Sequence, residues 1–83
     1  PIDDAEPFLS EEEADEILVL DAALERLAAL NPRGARVVEQ RFYAGMSVAE
    51  TASLLGVSGK TVQRDWIAAR AWLRKEVARD LDA

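Results

Sequence analysis

The stretch Ser58-Gly59-Lys60-Thr61-Val62-Gln63-Arg64 contains three side chains shaped for reading a base. Arginine can hold a guanine edge through two hydrogen bonds, glutamine can hold adenine in the same way, and lysine can read guanine or neutralise a phosphate. At about 100° per residue on a helix, Lys60, Gln63, Arg64 and Ile67 share one face, with Arg70 and Arg74 on its flank. Val62, Trp66, Ala69 and Leu73 share the opposite face, so one side can pack while the other enters a groove. The exposed N–H groups of a helix's first turn, with the Ser58 and Thr61 hydroxyls beside them, suit a phosphate oxygen. The same cations can also form an ordinary solvated surface, and only the elements around them favour the base-reading role.

Much other chemistry is excluded. The 83 residues include no cysteine and no histidine, which removes disulfides, thiolate nucleophiles, Cys/His zinc sites and Ser-His relays. No catalytic residue, metal ligand or cofactor site is expected; acid chemistry on Asp3 and Asp4 is all that remains for an enzyme. No apolar run approaches the ~20 residues that span a bilayer, and no signal segment opens the chain. The expectation is a soluble, cytoplasmic protein with no membrane partner. The chain opens on Pro1 rather than Met, which reads as a trimmed amino end or an excerpt.

Charge is segregated. Residues 1–25 hold ten acidic side chains and no basic one, whereas residues 26–83 hold all ten basic side chains and six acidic ones. A basic working module behind an acidic segment is the natural interpretation. Residues 1–15 are expected to be a flexible acidic linker and residues 16–83 one small helical domain.

The elements that must position the basic face follow from caps and periodicity. Ser10 with Glu13 has capping-box spacing and opens a first helix, whose stripe of Ile17, Leu20, Leu24 and Leu27 has Ala23 and Leu30 beside it. Asn31-Pro32 ends that helix and caps a second, which runs to about Tyr43. There Val37, Val38 and Phe42 supply the apolar side, Arg33, Arg36 and Arg41 decorate the rest, and Gly45 closes the end. Ser47 and Glu50 repeat the capping box before a short third helix over 48–55, which buries Val48, Ala52 and Leu55. Gly56, Val57 and Ser58 make the turn into a long fourth helix, from Gly59 to about Val77 or beyond. No period-two alternation or hairpin signal appears. The predicted fold is all-α, a four-helix, bundle-like domain ending in a helix-turn-helix over 47–66.

These residues carry a resemblance. The runs LDAALERL (20–27), NPR (31–33), VVE (37–39), RFYAGMS (41–47) and VSGKTVQRDW (57–66) resemble region four of bacterial sigma factors, closest to the extracytoplasmic-function (ECF) group, over about residues 20–77. The resemblance implies that the last helix pair reads the −35 element of promoter DNA in the major groove. It further implies that the apolar surface of the earlier helices grips the β flap of core RNA polymerase, and it allows an anti-sigma factor as a partner. By position, DNA binding maps to Ser58, Gly59, Lys60, Thr61, Gln63, Arg64 and Arg70. Polymerase or partner contact maps to the surface around Val37, Phe42 and Trp72. Gln63 stands where lysine is frequent in the group, Gly59 where proline or a polar residue is common, and Gln40 where an apolar residue often lies. A full sigma factor also needs a domain that melts the −10 element, which these residues do not supply, so the chain is expected to be a piece.

Two alternatives remain open from the sequence. One is the effector domain of a response-regulator-type transcription factor, which shares the four-helix plan. The other is a helical interaction module for polymerase or an anti-sigma factor. Trp66 is expected in the core; Trp72 can either pack on the first two helices or serve as a contact anchor.

Overall fold

A computed structural model describes residues 17–82, and all of its regular elements are helical. Helix α1 spans Ile17–Leu30, α2 spans Pro32–Val38 and continues as a π-helical turn over Glu39–Tyr43, α3 spans Val48–Leu55, and α4 spans Gly59–Asp82. The all-α plan with a terminal helix-turn-helix is therefore the one the sequence predicts. The Ser10 cap and the acidic 1–15 segment lie outside the described residues.

The caps explain the boundaries. Asn31 accepts the Gly34 N–H through Oδ1 at 3.1 Å, with Pro32 in the first turn, where no amide proton is needed. Ser47 and Glu50 form a reciprocal capping box, each side chain accepting the other's backbone N–H at 3.0 and 2.9 Å. Gly56 closes α3 at φ 69°, a left-handed angle that a Cβ resists. Ser58 then opens α4 by accepting the Thr61 N–H at 3.1 Å.

Leu20, Ala23 and Leu27 of α1 meet Ala35, Val37 and Val38 of α2, and Val62, Trp66, Ala69, Leu73 and Val77 of α4, in one core. Ala52 and the wholly buried Thr51 seat α3 against it. The apolar stripe of α1 is shorter than its periodicity suggests: Leu30 is 71% exposed, and Ile17 is also exposed, because both lie at ends of the helix beyond the packed core.

Two arginines expected on the surface of the second helix are otherwise engaged. Arg33 Nε donates to Asp65 Oδ2 at 2.6 Å, tying the start of α2 to the flank of α4. Arg41 is buried, donates through Nη1 to the Met46 carbonyl at 2.6 Å, and lies over the Trp66 ring at 5.3 Å. Its inward course coincides with the π turn, in which the Ala44 N–H reaches back five residues to the Glu39 carbonyl at 3.0 Å. At the far end of α4, Arg26 of α1 bridges Glu76 at 3.3 Å and Asp80 at 2.7 Å.

Candidate nucleic-acid interface

The basic face begins at the turn between α3 and α4. Gly56 and Val57 bring the chain round, with Val57 half-buried against the core, and Ser58 fixes the first turn of α4. From there the core arc of Val62, Trp66 and Ala69 is turned inward, and Lys60, Gln63, Arg64 and Ile67 all point to solvent. Gly59, Thr61 and Arg70 are half-buried at the margins of that face. Five of the seven positions proposed from sequence for DNA contact thus lie in the first two turns of α4, with Ser58 at its cap and Arg70 further along the helix.

The hydroxyl pair behaves more specifically than sequence suggests. Ser58 Oγ accepts the Thr61 N–H and donates its own proton to Thr61 Oγ1 at 3.0 Å. Ser58 is therefore spent on the cap, and the Thr61 hydroxyl proton is the one left to donate outward to an oxyanion.

Asp65 sits between Arg64 and Trp66 in sequence but is buried, and Arg33 engages both its oxygens, at 2.6 and 3.4 Å. The carboxylate hydrogen bond raises the Arg33 guanidinium further above its ordinary range. The only acid in the first two turns of α4 is thus turned away from the cationic face and paired. The sequence assigns Asp65 no role and places Arg33 on the polar side of the second helix. The available signal was angular, since Asp65 falls on the packing arc of α4, and a carboxylate there requires a cation from a neighbouring element.

On the opposite side, the expected contact surface divides. Val37 is fully buried. It lies among the residues where α2 meets α1 and α4, so it cannot present a surface to a partner. Phe42 and Trp72 are half-buried and packed on the core edge. Phe42 meets Tyr43 edge-to-face at 5.0 Å, and the Tyr43 hydroxyl donates to Asp21 Oδ1 at 3.0 Å. Burial, then that hydrogen bond, pushes the Tyr43 phenol up to about 12.

A family model described as ECF sigma factor matches residues 2–79. The chain belongs to the ECF sigma factor family. It is 44% identical over 84 residues to the RNA polymerase sigma-E factor of Streptomyces coelicolor, a match covering 100% of this chain and 43% of that protein. It is 41% identical over 75 residues to the proteins of the same name in Streptomyces antibioticus and Streptomyces avermitilis, covering 89% of this chain. The chain spans about two fifths of the length of these curated relatives. No solved structure is a significant match. As part of an ECF sigma factor, the four helices accord with region 4. Among the described residues, no helix is long and apolar enough to cross a membrane.

Proposed function

We propose that this chain is the promoter-recognition module of an ECF sigma factor, working in transcription initiation without enzymatic activity of its own. The start of α4 binds the −35 element of promoter DNA, with Gln63 and Arg64 on base edges, Lys60 on a guanine or a phosphate, and Thr61, Arg70 and the first-turn amides on the backbone. The earlier helices hold the β flap of core RNA polymerase through the surface that includes Phe42 and Trp72. An anti-sigma factor is a further partner that would compete for the same faces.

The observation that carries this proposal is the helix-turn-helix, whose second helix is capped, packed on one arc and cationic on the other, with its one early acid withdrawn into an ion pair. A single module of this size makes few phosphate contacts, so its affinity for DNA alone is low and depends strongly on salt.

The test is a selection from a randomised duplex pool at low salt, with and without core polymerase, using the chain and Arg64→Ala in parallel. A short motif enriched by the chain and lost with Arg64→Ala is the expected result. A motif recovered equally well without polymerase, at high affinity, would instead fit an effector domain that finds its site unaided. If Phe42→Ala abolishes the polymerase complex while neither the chain nor Arg64→Ala enriches any motif, the module serves protein contact alone.

A further inference from the structure

Among the exposed large apolar side chains of the described residues, Ile67 is set apart by its place on the cationic face of α4. It is 58% exposed in the middle of a well-formed helix, and it shares the outward face of α4 with Lys60, Gln63 and Arg64. Its neighbours one turn away are Gln63 and Arg64 before it and Arg70 and Ala71 after it, so it is an apolar side chain set among polar ones. A β-branched side chain is a poorer surface helix former than the alanines beside it. Neither helix propensity nor core packing therefore accounts for it.

Its direction is also informative. Side chains on a helix lean toward the amino end and cover the turn before their own Cα. Ile67 stands three residues after Arg64 and four after Gln63, so its side chain extends over the turn that carries those two polar tips. An element entering the major groove with Gln63 and Arg64 on base edges brings Ile67 to the same groove floor, displaced along the helix by one turn, about 5.4 Å. The floor of the major groove offers hydrogen-bond donors and acceptors at every base pair but one large apolar group, the C5-methyl of thymine. An exposed branched alkyl chain gains by meeting that methyl and loses by covering a donor or acceptor.

We infer that Ile67 is a specificity-determining residue that selects a thymine in the bound element through apolar contact with its C5-methyl, next to the base pair read by Gln63 and Arg64. The inference rests on the proposed DNA face and deepens it by stating one base that the face requires and the chemistry that recognises it.

Replacing thymine by uracil removes that methyl and nothing else, which makes a clean probe. From the motif selected by the chain, each thymine is replaced in turn by deoxyuridine, and binding of the chain, Ile67→Ala and Ile67→Val is measured on each duplex, with core polymerase where the selection needed it. At one position, uracil should weaken binding by the chain about fourfold, the effect of one buried methyl-sized group. Ile67→Ala should bind the thymine and uracil duplexes alike, and Ile67→Val should retain part of the difference. Because Ile67 is exposed, all three proteins should melt at closely similar temperatures, which separates recognition from folding. A motif without thymine, equal binding of both duplexes by the chain, or a thymine preference that survives Ile67→Ala overturns the inference while leaving the DNA face intact. If neither the chain nor its polymerase complex enriches any motif, the DNA face itself is refuted and the thymine contact with it.

Discussion

Two glycines three residues apart, Gly56 and Gly59, should respond to the same substitution with opposite signs. At Gly56 the backbone holds φ 69°, so Gly56→Ala pushes a Cβ into the left-handed region and should destabilise the fold by about 1–2 kcal/mol. At Gly59 an added Cβ would lie 3.6 Å from Val48 Cγ1, an ordinary contact. Gly59→Ala should therefore stabilise by about 0.4–1 kcal/mol, mainly by restricting the unfolded chain. Urea denaturation of both variants decides the matter; a stabilised Gly56→Ala would show that the turn does not depend on this angle. Tyr43 provides a third residue-level test, through pH. Its phenol is raised from 10.0 to about 12, first by burial and then by donation to Asp21. A raised value means that the folded state holds the proton more tightly, so this contribution is complete below pH 10 and is lost as pH climbs through about 12. Tyr43→Phe should flatten the alkaline loss of stability across that window, and absorbance titration of the phenolate should show the late midpoint directly.

At the scale of elements, α3 and α4 were legible because both open on a serine cap and α3 closes on a left-handed glycine, signals that depend on residue type and spacing alone. The capping box is testable by itself: Ser47→Ala should cost about 1 kcal/mol, and a smaller loss on Glu50→Gln would separate the two halves of the motif. Glu50 is held below its ordinary value by the Ser47 backbone N–H. Its contribution is thus present at neutral pH and lost as pH falls through that lowered value. The π turn was not legible, because one additional residue between Glu39 and Ala44 alters no residue type and too little of the periodicity. Without that turn, Arg41 reads as a surface charge rather than as a cation packed over Trp66. Arg33 was obscured for a related reason, since the carboxylate that binds it lies 32 residues away. A double-mutant cycle on Arg33 and Asp65 should give a larger coupling than one on Arg26 and Asp80, because Asp65 is more completely buried than Asp80. If the two couplings are equal, the Arg33–Asp65 pair does not hold α2 to α4 more firmly than a surface bridge would. Val37 shows the converse limit of pattern reading: periodicity marks an apolar face correctly but does not say whether a partner or the molecule's own helices cover it.

At the scale of the whole molecule, the overall charge of −6 is compatible with the proposed DNA face because the charges are sorted along the sequence. Along the sequence, seven acids fall within residues 1–15, while the outward face of early α4 carries Lys60 and Arg64. Two electrostatic effects with different salt dependence therefore act on any bound duplex. Cations that neutralise phosphates release counterions, and each contributes about −0.9 to the slope of log affinity against log salt. Arg70→Ala, which removes one proposed phosphate contact, should weaken binding to all sequences alike and reduce the slope magnitude by about that amount. An acidic segment lying within reach of the duplex would repel the same phosphates, and that repulsion is screened as the Debye length shortens from about 10 Å at 0.1 M to about 3 Å at 1 M. Deleting residues 1–15 should therefore raise affinity at low salt, steepen the salt dependence, and leave the preferred sequence unchanged, with the two proteins converging at high salt. Parallel salt titrations of the chain and the truncated chain on one duplex measure all three. Identical curves at low salt would show that the seven acids stay too far from bound DNA to act on it.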